Sequence, residues 1–297
     1  MSTYTAPMKD MQFVLHELAG LDAIARLPGY GDVSTELVDA VLEGAATFSS
    51  EVWGPLNKVG DQQGLKRHDD GRVTTPKGFV EAYAKFVESG WNGLRFDPAF
   101  GGQGLPKLVD TAVMEMWNAS NMAFSMAPLL TQGAIEALMI AGTDEQKAQW
   151  LERIASGDVV ASFALTEPGA GSNPAGLRTK AVLDGSDWVI DGNKRFITNA
   201  PLAQLFVVFA RTRPADSDGP GIAVFLVPAD TPGVTVGPKD KKMGQEGAWT
   251  SEVTFDNVRV PESALVGGDQ DTGYRAAMTS LARGRVHIAA LSVGAAQ

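Results

Sequence analysis

The chain has 297 residues, enough for two or three packed units of ordinary domain size, and its 44% hydrophobic content supplies a sizeable core rather than a disordered chain. A net charge of −10 and a pI near 4.8 argue against a general nucleic-acid or membrane-surface binder. The absence of cysteine excludes a disulfide framework, a thiolate nucleophile and cysteine-ligated zinc or iron–sulfur clusters, and fits a reducing, cytoplasmic setting.

Met1 to Met11 lacks the basic start and apolar core of a secretory signal. Apolar runs such as Leu205 to Ala210 are too short to span a bilayer, so no membrane span is expected. From about Ser34 to Ala155 the apolar spacing is helical. Ser34 reads as an N-cap, followed by Leu37, Val38, Val41, Leu42, Ala45 and Phe48 on one face. Thr75-Pro76 is expected to open the next helix, with Phe79, Val80, Tyr83, Phe86 and Val87 as its stripe and Gly90 closing it. A long helical segment carries Val109, Val113, Met116 and Trp117, and Thr143 with Gln146 reads as a capping box for a helix with Trp150, Leu151 and Ile154.

From Val159 to Pro261 short β-rich runs alternate with turn signals: 159–166, 177–183, 188–190, 194–198, 205–211, 222–227, 234–237 and 252–258. Asp184-Gly185 and Asp191-Gly192 read as hairpin turns, and such strand density suggests a small barrel or sandwich. After Gly273 the helical period returns through Tyr274, Met278, Leu281 and Ala282 and runs to the last residue. The expected fold is α+β: after an extension (1–33) come three parts, an all-helical N-terminal domain (34–157), a β-barrel or sandwich domain (158–268), and the first helix of a truncated C-terminal helical bundle (269–297).

Two segments carry chemistry. Phe163 to Ser172 joins an apolar run to a loop with two glycines and a hydroxyl, and glycine lets backbone N–H groups approach a bulky anion such as a pyrophosphate. Lys194 to Asn199 places Thr198 behind an aromatic and a β-branched residue, as a strand edge facing a flat, polar-rimmed ring would. Each segment also reads as an ordinary strand with a turn or an inner strand position; together they point to a flavin. His16, His68 and His287 are dispersed without ligand spacing, so no metal site is expected.

With these residues in place, the chain resembles the acyl-CoA dehydrogenase family. The matching stretches are Asp97–Pro106, Thr166–Ser172, Asp191–Asn199, Lys242-Met243-Gly244, Phe255–Pro261 and Leu281–Gln297, covering the chain from about Ser34. The first part, including Tyr4–Leu15 and Gly90–Leu138, is similar to longer members of methylthio-propanoyl-CoA dehydrogenase type. The resemblance implies FAD-dependent α,β-dehydrogenation of an acyl-CoA thioester. Hydride would pass to flavin N5 and electrons on to an electron-transfer flavoprotein, in a homodimer or homotetramer.

It further implies flavin contacts from Phe163, Leu165, Thr166, Gly171, Ser172, Phe196, Ile197 and Thr198, and substrate contacts from Ser172, Thr212 and Arg285. Phe196 stands where the family commonly has tryptophan, and Asn173 where it often has aspartate. Gly284 occupies the place where some members carry the catalytic glutamate, so the base is expected beyond Gln297; neither Glu246 nor Glu252 is assigned to it. Two alternatives stay open: a non-catalytic partner subunit that completes the flavin site of a fuller chain, and a flavin oxidase or monooxygenase on the same fold.

Overall fold

A computed structural model of the chain describes residues 4–214 and 221–297, apart from the side chain of Ala277. Helices α1 (Met8–Phe13) and α2 (Leu21–Ala25) precede α3 (Thr35–Phe48). The Ser34 hydroxyl caps α3 by accepting from Leu37 N at 3.1 Å, and α3 buries Val38, Leu42, Ala45 and Phe48. Then come α4 (Asn57–Gln63), an antiparallel pair of two-residue strands, β1 (Lys66–Arg67) and β2 (Val73–Thr74), and α5 (Phe79–Glu88). Thr75-Pro76 does not open α5. The left-handed turn at Gly78 (φ +86°) interrupts the path after Pro76, and the helix begins at Phe79. Val80, expected on its buried stripe, is 65% exposed.

The next helical segment, α6 (Lys107–Ala141), is bent at Asn121, whose φ of −159° and ψ of 83° are non-helical. The bend folds its two halves against each other. One Arg95 guanidinium reaches Asp110 near one end and Glu136 near the other, residues that a straight helix would hold about 39 Å apart. By length and composition α6 could cross a membrane, but it is a folded-back element packed in the core, with Val109, Val113, Met116, Trp117, Ile135 and Leu138 essentially inaccessible. Trp53, Phe86 and Trp117 pack together with centroids 5.2–5.3 Å apart in the helical part, Trp53 stacked on Phe86 and Trp117 edge-on to Phe86. Helix α7 (Asp144–Ala155) starts with the expected Thr143–Gln146 capping box.

The β part is one seven-stranded sheet: β3 (Ala161–Ala164), β4 (Lys180–Asp184), β5 (Asp187–Thr198), β6 (Leu205–Arg211), β7 (Ile222–Pro228), β8 (Val234–Lys239) and β9 (Thr250–Pro261). β6 pairs antiparallel with β7 along one edge and parallel with β3, then β4, along the other. β5 lies between β4 and β9, and β8 lies beyond β9. Side chains from one face of these strands converge on a single cluster that includes Ala181, Ile190, Phe206, Val208, Phe225, Phe255 and Val260, so the sheet is curled around it.

The opposite face of β6 and β7 (Leu205, Val207, Phe209, Ile222, Val224, Leu226) packs on α6 and α7. Both faces of these strands are therefore buried, and they read as unbroken apolar runs. Asp184 ends β4 at a two-residue turn as expected, but Asp191-Gly192 is not a turn. β5 passes straight through it with a register shift, and Gly192 lies in extended backbone (φ 159°) pressed so close to Thr179 that a Cβ would come within 2.3 Å of its hydroxyl. The expected runs 188–190 and 194–198 are thus one strand. Helix α8 (Thr272–Ala296) ends the chain, laid along α6 and the start of β7.

Candidate functional site

The site begins with an irregularity in β5. Beyond the shift at Gly192, pairing with β9 runs in register to Lys194↔Val253 and resumes at Ile197↔Ser251. Arg195 and Phe196 therefore face Glu252 alone, a β-bulge. Phe196 takes φ +59°, a left-handed conformation unfavourable for an aromatic residue. The bulge turns its ring outward, 60% exposed, and returns Ile197 to the interior at 1%. The inner-strand reading of Phe196 is thereby corrected. Ile197 lies in the sheet's core and Leu165 in the core between sheet and helices, so neither side chain shares the open surface of Phe196.

The bulge lies beside the loop that follows β3. Arg195 N donates to Thr166 O at 2.8 Å, and the Ser162 hydroxyl donates to Thr198 O at 2.5 Å. Behind this contact sits a buried ion pair. Lys194, fully buried, donates from Nζ to Glu167 Oε1 at 2.8 Å and to Leu165 O at 3.1 Å. Glu167 also accepts from Arg178 N (2.5 Å) and Thr179 N (2.9 Å). Burial pushes the Glu167 carboxyl up, but the Lys194 charge and these hydrogen bonds outweigh it and hold the group below its ordinary range. Burial pushes the Lys194 ammonium down to about 8 against the opposing pull of Glu167.

In front of the pair the chain makes a tight turn, with Glu167 and Ala170 exchanging N–H···O bonds of 3.1 Å around Pro168-Gly169. Gly171 and Ser172 are exposed, and Thr166 and Thr198 are half-exposed. A Cβ at Gly169 would meet nothing within 4 Å, and one at Gly171 only Thr166 Cγ2 at 4.0 Å. The backbone is therefore open on one side, with two threonines, a serine and an outward aromatic around it. That donor set and clearance fit a flat heteroaromatic ring with a diphosphate tail.

Phe163 is half-buried, its ring 4.7 Å from Phe209 and close to Gly133 of α6. α8 crosses here: the Ser280 hydroxyl donates to Gly133 O at 3.4 Å, and Tyr274, Met278 and Leu281 pack on the same cluster. Arg285 is exposed one turn beyond Leu281. Thr212, just past β6, is half-buried, and its hydroxyl has no hydrogen-bond partner among the described residues. No hydrogen bond or ion pair among the described residues joins Ser172, Thr212 and Arg285 to one another.

A buried charge network fastens α8 to the helical part. Arg95 Nε lies 3.1 Å from Asp110 Oδ2, and its Nη1 pairs with Glu136. Arg283 reaches the other oxygen of Glu136 at 3.1 Å, and His287 Nε2 lies 2.8 Å from Asp110 Oδ2. Burial pushes the Glu136 carboxyl up, but the two arginines more than offset this and leave it below its ordinary range. The two unassigned glutamates are both ion-paired, Glu246 with Lys239 and Glu252 with Arg195.

Sequence reasoning missed Glu167 and Lys194 as partners, although strand parity carried a signal. Trp188, Ile190 and Lys194 stand on alternate positions of β5, which assigns the lysine to the inward face. A buried lysine calls for a carboxylate.

Residues 162–258 match the acyl-CoA dehydrogenase middle domain, and residues 57–158 match the acyl-CoA dehydrogenase N-terminal domain. The chain is 36% identical over 286 residues to 3-methylmercaptopropionyl-CoA dehydrogenase of Ruegeria pomeroyi, covering 92% of this chain and 46% of that protein. It superposes on butyryl-CoA dehydrogenase of Megasphaera elsdenii with a TM-score of 0.78 at 27% identity, over 88% of this chain and 66% of that one. A glutaryl-CoA dehydrogenase of Mycobacterium smegmatis, solved in complex with FADH2, gives a TM-score of 0.73 at 30% identity, over 94% and 65%. The chain spans about half the length of the curated relatives it matches. Sequence, fold and the paired segments agree, and the chain belongs to the acyl-CoA dehydrogenase family.

Proposed function

We propose that this chain supplies the flavin-facing part of an FAD-dependent acyl-CoA α,β-dehydrogenase. The observation that carries the reading is the 2.8 Å bond from Arg195 N to Thr166 O, which sets the Phe163–Ser172 loop against the Phe196–Thr198 bulge. Thr166 and Thr198 present hydroxyls to the ring's polar edge, Phe196 covers its apolar side, and the backbone at Gly171 and Ser172 receives the diphosphate. The solved relative complexed with FADH2 shares this fold. When bound, FAD accepts the hydride lost from the acyl β-carbon.

The residues of this chain bind and orient; none is assigned as the base that takes the α-proton. That base is proposed to lie on chain beyond Gln297, because Gly284 cannot serve. Ser172, Thr212 and Arg285 are proposed to meet the CoA side. Electron-transfer flavoprotein is the proposed acceptor, and a homodimer or homotetramer the proposed assembly.

The test is FAD titration of the purified protein followed by acyl-CoA addition. Bound flavin absorbance bleached by one acyl-CoA supports the reading, and failure of both this chain and a C-terminally extended version to retain FAD refutes it. Gly284 favours a second reading, in which the chain lends its half-site to a fuller dehydrogenase. Activity appearing only on mixing with such a chain would establish that.

A further inference from the structure

Lys194 and Glu167 form an ion pair that is costly to bury and that touches no exposed surface of the candidate site. Their side chains are 0% and 5% exposed. Two buried charges lose their hydration, and replacing such a pair with neutral groups is often neutral for stability or even favourable. Stability alone is thus a weak reason to keep it. Its position is more informative. Lys194, the last paired residue before the bulge, and Arg195, the first residue in it, hold three consecutive residues of the loop: Lys194 Nζ donates to Leu165 O and the Glu167 carboxylate, and Arg195 N donates to Thr166 O. Glu167 extends the hold to Arg178 N and Thr179 N at the far end of the same loop. Gly169, Gly171 and Ser172 are open to solvent, and these five contacts fix both flanks of that stretch to the strand that carries Phe196 and Thr198.

We propose that the Lys194–Glu167 pair is a positioning device that sets the distance between the diphosphate-binding loop and the ring-binding bulge. The proposal rests on the flavin reading given above. The pair touches no ligand and acts through the backbone oxygens and N–H groups that it fixes. A site that must match a rigid ring and its diphosphate together gains affinity from such preorganisation.

The test is the double variant K194M/E167Q, which removes both charges and keeps an amide oxygen to accept from Thr179 N. Three quantities are compared with the wild type: thermal midpoint, FAD dissociation constant, and amide hydrogen exchange at Arg195, Arg178 and Thr179, the N–H donors of these contacts. The expected result is a midpoint near that of the wild type, FAD binding weakened at least ~10-fold, which corresponds to about 1.4 kcal/mol, and faster exchange confined to those amides. A lowered midpoint with unchanged FAD affinity at a temperature where both proteins are folded assigns the pair to stability and overturns the proposal. Unchanged exchange at the three amides also overturns it, whatever the affinity. The comparison is made on whichever of this chain and its C-terminally extended version binds FAD; if neither wild-type form binds it, the flavin reading falls and the proposal falls with it, whereas wild-type binding with an indistinguishable variant removes the proposal alone. Single variants serve as controls. K194M leaves the Glu167 charge buried without its counter-ion and is expected to lower the midpoint, unlike the double variant.

Discussion

The Ser125 hydroxyl donates a 2.6 Å hydrogen bond to Oδ1 of Asn118, seven residues earlier in the same helical segment. In a straight helix their Cα atoms would be separated by a rise of about 10.5 Å, beyond the reach of two short side chains. The bond exists because the chain turns at Asn121. That residue secures the turn at both ends, accepting from Phe124 N at 3.1 Å and donating to Trp53 O at 3.1 Å. N121A removes a cap of about 1 kcal/mol and leaves the Trp53 carbonyl without this donor, for a total loss of about 2–3 kcal/mol. Urea denaturation measures it; a loss under about 0.5 kcal/mol would mean that packing alone holds the bend.

Arg95 is the hub of the buried network, and its removal is expected to be expensive. R95M takes the shared guanidinium from the buried Asp110 and Glu136 carboxylates and leaves His287 and Arg283 beside them; breaking a buried pair in this way typically costs about 3–5 kcal/mol at neutral pH. The loss should shrink on acidification, because protonating Glu136 removes a buried charge that has lost the Arg95 half of its pairing. Chemical denaturation of wild type and variant at neutral pH and near pH 4 measures the difference. A cost independent of pH would show that Arg95 contributes through packing of its stem rather than its charge.

Gly273 seats the first turn of α8 on β7. A Cβ there would lie 2.7 Å from Val224 N and 2.9 Å from Ala223 Cα, and strand backbone cannot move aside as a flexible side chain can. G273A is expected to cost about 1–3 kcal/mol by overpacking. Tryptic cleavage at Arg275 and Arg283 should also accelerate as α8 lifts. Unchanged cleavage together with unchanged stability would place the start of α8 off the sheet.

Phe196 offers a prediction in which stability and binding move in opposite directions. Its side chain is mostly exposed, so little packing is lost on truncation, while its left-handed backbone carries strain that glycine relieves. F196G is expected to raise stability by about 1 kcal/mol and to weaken FAD binding. Destabilisation by this variant would show that the ring is packed in solution.

The fold was legible where a local pattern has one physical outcome. Ser34 and the Thr143–Gln146 pair cap the helices they were expected to cap, and the unbroken apolar runs of β6 and β7 mark strands buried on both faces. The reading failed where glycine and proline have more than one use. Gly192 permits close backbone approach inside a strand rather than a turn, and Pro76 stands in a turn that Gly78 ends. The bend at Asn121 had no sequence mark, because a helical period continues on both sides of it. At the site, both segments were identifiable from their glycines and hydroxyls. What joins them depends on long-range pairing of Lys194 with Glu167, which spacing along the chain does not encode.

The two buried carboxylates with lowered pKa fix the sign of the acid response. Glu167 and Glu136 lie below their ordinary value in the folded protein, so each contributes stability that is fully present above that ordinary value and is lost as pH falls through the folded one. Thermal midpoints should therefore fall below about pH 4.5, and E167Q should flatten part of that slope. Lys194 acts at the other end. Its folded value of about 8 is below its unfolded value of 10.5, so between these limits the unfolded chain holds a proton that the native protein has released. This group alone makes stability rise with pH across that window, and K194M removes the rise. Midpoints recorded from pH 3 to pH 10.5 on wild type, E167Q and K194M test both limbs. A wild-type acid limb as steep in E167Q, or an alkaline limb unchanged in K194M, would show that the folded protein does not hold this pair as a buried, charged couple.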